Sequence, residues 1–235
     1  MEILKLLSTI DVPISAARIQ GELNLPRSST YHLLAEMVDA GFVAHLPEHK
    51  TYGLGLAAYS MASAYVTQQP LVRMATRDLE QCAALVGGSG HLSRMAGSEI
   101  LYLQEVRAAG ATSLVTEVGV RLQAHKTASG RVMLAHLPDA EVRAAFDTAG
   151  GSGFAVLKEH LSLVAARGWD QEIEEITRGQ ASVAAPILDH LDRPAAAVAV
   201  TYPVGTPDVK VDAAIRALLE VSDKVAAKMY RNRKK

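Results

Sequence analysis

The spacing of the breaks near the N-terminus constrains this chain more than any other feature. Ile3, Leu4, Leu7 and Ile10 recur at helical spacing until Asp11-Val12-Pro13 interrupts them. Ser15 then offers an oxygen to an orphan helix donor, and Ala16, Ile19 and Leu23 mark the buried face of a second short helix. Asn24-Leu25 supplies a turn. Pro26 stands where a third helix begins, a position at which its missing N–H costs nothing. In that third helix Thr30, Leu33, Leu34 and Met37 fall on one side, and Arg27, Ser28, Tyr31, His32 and Ala35 on the other. After Ala40-Gly41 the pattern changes to short extended runs, Phe42-Val43-Ala44 and Thr51-Tyr52, around the turn-rich Leu46-Pro47-Glu48-His49-Lys50, with Gly53-Leu54-Gly55 closing the hairpin. Three short helices, a tight turn before the third and a hairpin after it describe a winged helix-turn-helix, whose third helix enters the major groove of double-stranded DNA.

The residue types on the outer face suit that task. Arg27 can meet a guanine edge or a phosphate, Ser28 and Ser29 sit at a helix N-terminus with backbone donors for phosphate, and Tyr31 and His32 reach bases one turn further on. Lys50, at the tip of the wing, is placed for a sequence-independent phosphate contact. Local charge limits how binding works. Residues 1–55 hold four basic side chains against six acidic ones, a formal −2, and the whole chain carries −1. Few counterions can be released, so specific contacts rather than bulk positive charge must supply affinity, and the salt dependence should be shallow.

A helical stretch from Leu56 to Thr67 leads to Gln68-Gln69-Pro70 and reads as a linker helix over 56–69. Beyond it, a helix at Leu71–Val86 precedes Gly87-Gly88-Ser89-Gly90 and two strands, His91–Met95 and Ile100–Val106. Helical patterns cover Ala128–His136, Asp139–Ala149 and Phe154–Arg167. Strands follow at Ser182–Leu188 and Ala195–Tyr202, then a last helix at Val209–Tyr230 and the basic tail Arg231, Arg233, Lys234, Lys235. Hairpins with helices between them predict an α+β domain built on a mostly antiparallel sheet flanked by helices. With 235 residues, 49% of them hydrophobic, each of two domains can have its own core.

The longest nearly uncharged apolar run, Ala195–Val204, is about half a membrane span, and no basic region followed by an apolar signal core opens the chain. The expectation is a cytoplasmic protein without membrane contact. A single cysteine, Cys82, excludes an internal disulfide and a cysteine-cluster metal site, and reads as a small buried residue. Enzyme-like signals are incomplete. Gly53-Leu54-Gly55-Leu56-Ala57-Ala58 matches a relaxed dinucleotide fingerprint, but no parallel βαβ unit surrounds it. His45 and His49 are spaced like metal ligands yet flank a proline-containing turn, Gly87-Gly88-Ser89-Gly90-His91 lacks the second glycine of a nucleophile elbow, and Glu172, Glu174 and Glu175 read as a solvated loop or pocket rim. No cofactor, metal or catalytic residue is assigned.

Leu25-Pro26-Arg27-Ser28-Ser29-Thr30-Tyr31-His32-Leu33-Leu34, Gly41-Phe42-Val43 and Tyr52-Gly53-Leu54-Gly55 resemble the DNA-binding half of IclR-type transcription factors. Leu122-Gln123-Ala124-His125-Lys126-Thr127-Ala128-Ser129-Gly130-Arg131 and the run Arg167-Gly168-Trp169 through Glu175, Gly179 and Ala184-Ala185-Pro186-Ile187 resemble the second half of that family, in the expected order. The resemblance implies a winged helix-turn-helix over 1–55, the linker over 56–69, and a GAF-like effector-binding and oligomerisation domain over 70–235. It also implies a homo-oligomer, dimer or tetramer, whose binding to a pseudo-palindromic operator, in control of a catabolic operon, answers to a small organic or aromatic acid. The expected effector site is bordered by Leu122, His125, Ala128, Ser129, Trp169, Ala185, Pro186, Ala199 and Thr201. In it the helix start at Ala128-Ser129-Gly130 meets the acid, His125 and Lys126 supply charge, and Trp169 and the strands hold the carbon skeleton. Thr201, alternating with Ala199 along a strand, is a hydroxyl that needs a partner. A second reading is a GAF-like ligand-binding protein that acts through protein partners and keeps a degenerate helix-turn-helix.

Overall fold

The computed structural model describes residues 2–68, 70–112, 114, 116–150 and 153–231. Its internal contacts divide the chain into two compact units, Met1–Gln68 and Gln69–Lys235.

In the smaller unit, helices α1 (Glu2–Ser8), α2 (Ala16–Leu23) and α3 (Arg27–Asp39) pack around Ile3, Leu7, Ile14, Ala16, Ile19, Leu34 and Val43. Ser15 caps α2 as expected, its Oγ accepting from the Arg18 N–H at 3.2 Å. Asn24 closes α2 in the left-handed conformation with φ 49°, which turns the chain into α3. Pro26 is the N-cap residue of α3, one place before the first helical residue, and its carbonyl accepts from the buried Thr30 hydroxyl at 3.0 Å. One core assignment is corrected. Leu33 is 39% exposed, because the buried stripe of α3 is narrow and runs through Thr30 and Leu34 with Met37 and Val38 at its edge.

A two-residue strand, β1 (Ile14–Ser15), lies where the sequence shows only a break. It adds a third strand to the hairpin of β2 (Val43–Leu46) and β3 (Thr51–Leu54), with Ile14 opposite Tyr52 and Val43 opposite Leu54. Gly55 is required by packing. A Cβ there would lie 2.3 Å from the Gly41 carbonyl oxygen, and its N–H donates to the Phe42 carbonyl at 2.8 Å. Helix α4 (Leu56–Gln68) follows; Gln69, the end of the expected linker, lies outside the described residues.

The larger unit is a six-stranded antiparallel sheet of β4 (Ser89–Ala96), β5 (Glu99–Arg107), β6 (Arg121–Gln123), β7 (Asp170–Ile173), β8 (Gln180–Leu188) and β9 (Pro194–Pro203), in the order β6-β5-β4-β9-β8-β7. Helices α5 (Pro70–Val86) and α9 (Asp208–Ala226) pack on each other and on the sheet. On the other face a short helix, α6 (Ala128–Leu134), lies against β8 and β9, backed by α7 (Asp139–Thr148) and α8 (Phe154–Arg167). Small side chains at Ala184, Ala197 and Ala199 let α6 come close to the strands. Gly130 lets it come close to the turn before it: a Cβ at that position would sit 2.1 Å from the Ala124 carbonyl oxygen.

All seven residues of α6 are buried, including a charged one. Arg131 is held by Asp170 at 2.5 Å, Glu175 at 3.0 Å and the Gln171 carbonyl at 3.0 Å. Asp170, fully buried, also receives Arg167 and lies 3.0 Å from His160. This cluster ties α6 and α8 to β7. The expected final helix is shorter than its pattern, ending at Ala226 and continuing as a wider π turn over Ala227–Arg231, while residues 232–235 of the basic tail lie outside the described residues. Among the described residues no helix is long and apolar enough to cross a membrane.

Candidate functional site

Two places in the chain carry polar groups that folding does not explain. The first is the outer face of α3. Arg27, Ser28, Ser29, Tyr31 and His32 are all exposed there, while Thr30 and Leu34 anchor the opposite side. Tyr31 leaves 48% of its surface open, and the Arg27 guanidinium lies 5.9 Å from its ring centroid, within reach of a cation–π contact. Lys50 is exposed in the turn between β2 and β3, with φ 51°. Two of the four basic residues of this region are paired, Lys5 with Glu2 at 2.9 Å and Arg18 with Glu22 at 3.6 Å. Arg27 and Lys50 have no carboxylate partner among the described residues. His45 is accounted for by stacking on Tyr52 across the hairpin, centroids 4.6 Å apart.

The second place is a cavity in the larger unit between the start of α6, the inner face of β4, β9 and β8, and the segments carrying Leu114, Thr116, Ile176 and Thr177. Ala128, Ser129, Ala199 and Thr201 line it, so four of the nine expected effector-site residues come together. The space is narrow: the centre of a water molecule reaches only about 10 Å³ of it, room for about one water. Thr201 has its partner inside the protein. Its hydroxyl meets Ser182 Oγ at 2.9 Å, and Ser182 donates to Glu172 Oε1 at 2.7 Å. At the helix start, Thr127 Oγ1 accepts from the Gly130 N–H at 2.9 Å.

The other five residues do not line this cavity. Leu122 lies on β6 opposite Ile100 and packs at the edge of the core. His125 turns its ring edge-on to Phe146 at 5.2 Å, and burial pushes its imidazole pKa down; Lys126 is exposed. Trp169 is half-buried beneath Arg167, whose guanidinium sits 4.3 Å from the ring centroid. Ala185 points to the face of β8 away from α6, by the alternation that turns Ala184 toward it, and Pro186 lies further along the strand, its carbonyl accepting from Ser222 on α9.

Most of the other lining residues escape sequence reading, His91, Tyr102 and Thr116 among them, and the sequence places Glu172 only in a solvated loop or at a pocket rim. Ser89, His91 and Ser93 alternate along β4, so period two alone puts three polar groups on one face. All three are buried, and none of their side-chain nitrogens or oxygens has a hydrogen-bond partner among the described residues. Burial holds the His91 imidazole at about 4, which leaves it neutral. Burial also pushes the Tyr102 phenol up, and pushes the Glu172 carboxyl up against the pull of the Ser182 hydroxyl and the Glu175 N–H. No lysine or arginine lines the cavity among the described residues.

A helix presenting arginine, serines and an aromatic beside a small wing, in one chain with an α+β unit holding a narrow cavity lined in part by unpartnered polar groups, defines a winged-helix DNA-binding protein with a ligand-sensing domain. Residues 1–47 match the IclR helix-turn-helix domain, and residues 63–227 match the family described as bacterial transcriptional regulator IclR C-terminal. The chain belongs to the IclR family of transcriptional regulators, which are not enzymes. It is similar to the glycerol operon regulatory protein of Streptomyces griseus, 29% identical over 225 residues covering 91% of this chain and 89% of that one. It is also similar to the transcriptional repressor IclR of Escherichia coli, 23% identical over 217 residues covering 87% and 78%. In fold it resembles an IclR homologue from Microbacterium hydrocarbonoxydans complexed with 4-hydroxybenzoate, with a TM-score of 0.78, 20% identity and 97% of both chains covered.

Proposed function

We propose that this protein is a cytoplasmic homo-oligomer that binds a pseudo-palindromic operator through α3 and the wing, controls a catabolic operon, and changes operator affinity when a small molecule enters the cavity of the larger unit. The observation that carries this reading is the division of α3 into a buried Thr30–Leu34 side and an exposed side bearing Arg27, Ser28, Tyr31 and His32. Two copies of such a helix, related by two-fold symmetry, read two half-sites about one helical turn apart. The catabolic assignment draws on relatives named for the glycerol operon and for the pca regulon. The effector assignment draws on buried polar groups that lack partners, since each of these costs stability unless a ligand or water satisfies it.

The test is fluorescence anisotropy with duplexes that tile the DNA beside the gene. One duplex should bind on the order of 10³-fold or more tighter than a scrambled duplex. Arg27→Ala should weaken that complex by about 1–3 kcal/mol if the guanidinium is bidentate to a base, while Lys50→Ala weakens all duplexes alike. Equal affinity for every duplex, or an Arg27→Ala, Tyr31→Ala double variant that binds as the native chain does, would overturn the groove assignment. For the cavity, ligand binding that Ser129→Leu leaves untouched would move the effector site elsewhere.

A further inference from the structure

The cavity of the larger unit has a pattern of donors and acceptors that selects among small molecules. It holds no cationic side chain among the described residues, and the buried guanidinium of α6, Arg131, is already committed to Asp170, Glu175 and the Gln171 carbonyl. It does hold a carboxyl group. Glu172 is 3% exposed, with one oxygen accepting from Ser182 Oγ at 2.7 Å and the other from the Glu175 N–H at 3.0 Å. His91, 1% exposed, has two ring nitrogens without partners, and the buried Thr116 hydroxyl has none among the described residues.

Each class of ligand meets this set differently. A carboxylate would bring a second acidic group beside Glu172 in a cavity that no lysine or arginine lines among the described residues; Arg131 acts on Glu172 only from outside the lining, and like charges in a water-poor site repel strongly. An ammonium group without hydroxyls beside it can only donate, so it would leave unanswered the donor of a neutral imidazole, which presents one donor and one acceptor. Neighbouring hydroxyls both donate and accept, and so can meet His91, Thr116 and Glu172 together. Ala128, Ala199 and Leu114 supply apolar surface for a short carbon chain. The narrowness of the cavity favours a small molecule that enters as the walls part.

We infer that the effector of this protein is a small polyhydroxylated molecule without an acid group, held through its hydroxyls by His91, Thr116 and Glu172. This rests on the cavity being the effector site. The neutral state into which burial forces His91 agrees with it.

The experiment is isothermal titration calorimetry on the full chain with matched sets of probes: glycerol, ribitol and glucose; their acids glycerate, ribonate and gluconate; and the hydroxyl-free amines propylamine and cyclohexylamine. At least one neutral probe should bind, about 10-fold or more tighter than its acid and amine counterparts. Thr116→Val, which keeps the side-chain shape, should weaken that probe about 5-fold, and His91→Phe should weaken it further. Glu172→Gln should narrow the gap between neutral probe and acid. An acid or amine that binds the native chain as tightly as its neutral counterpart would overturn the inference, as would neutral binding that both Thr116→Val and His91→Phe leave unchanged. If acids alone bind and Ser129→Leu abolishes their binding, the polyol class falls while the effector site stands. If no probe of any set binds, the polyol class falls.

Discussion

His91 concentrates the conflict between folding and function in one side chain. Its ordinary pKa of 6.5 is held at about 4 by burial, so between those values the unfolded chain takes up a proton that the folded chain refuses. Stability present above about pH 6.5 is therefore lost as pH falls toward about 4, by on the order of 3 kcal/mol for this group. His125 and His136 are shifted the same way by burial, so the contribution of His91 is read as a difference. The unfolding free energy of His91→Phe should fall less steeply with acid than that of the native chain. Parallel profiles from about pH 7 to about pH 4 would contradict the assignment. Asp170 is the opposite case, a buried charge with Arg131, Arg167 and His160 around it. Asp170→Ala should cost about 3–5 kcal/mol in denaturant unfolding because it strands Arg131 in the interior, and a loss under about 1 kcal/mol would show the cluster to be dispensable. At this scale the sequence was informative about α3, where each candidate contact residue lies on the exposed side that its period gave it. It misled about the effector side. His125 and Trp169 follow the family-like run, but their direction depends on packing against Phe146 and Arg167, distant or flexible partners that local pattern does not encode.

At the level of elements, helices with a repeated apolar stripe or a cap were legible, as Ser15, Asn24 and Pro26 show. Three short strands were not: β1, β6 and β7 show no period of their own, and their partners β3, β5 and β8 define them, whereas β2 and β3 were legible from the turn between them. For that reason the sequence leaves Glu172 between a solvated loop and a pocket rim, although β7 turns it inward. Capping gives a direct test in the smaller unit. Ser15→Ala should lower its stability by about 1 kcal/mol through the lost bond to the Arg18 N–H, and an unchanged melting temperature would contradict the cap. In the larger unit, Gly130→Ala should cost about 3 kcal/mol, because the added Cβ meets the backbone of Ala124 rather than a side chain that can move aside. A Gly130→Ala variant that melts with the native chain would mean that α6 can shift on the sheet.

The molecule as a whole joins a DNA-reading unit of negative formal charge to a sensing unit with a narrow cavity. Arg27 and Lys50 are the cations of residues 1–55 left without a carboxylate partner among the described residues, so affinity should fall only shallowly with salt. A slope near that of a protein making about ten phosphate contacts would reveal basic surface elsewhere. Regulation requires more than two working sites. The ligand must favour one arrangement of the DNA-binding units over another, since equal affinity for both would shift nothing. The most direct test is therefore operator affinity, measured by anisotropy on the full chain with and without a saturating amount of the tightest ligand from calorimetry. Coupling of about 1–3 kcal/mol predicts a change of roughly 5- to 150-fold, abolished by Ser129→Leu. An operator affinity that stays the same while the ligand fills the cavity would contradict the account.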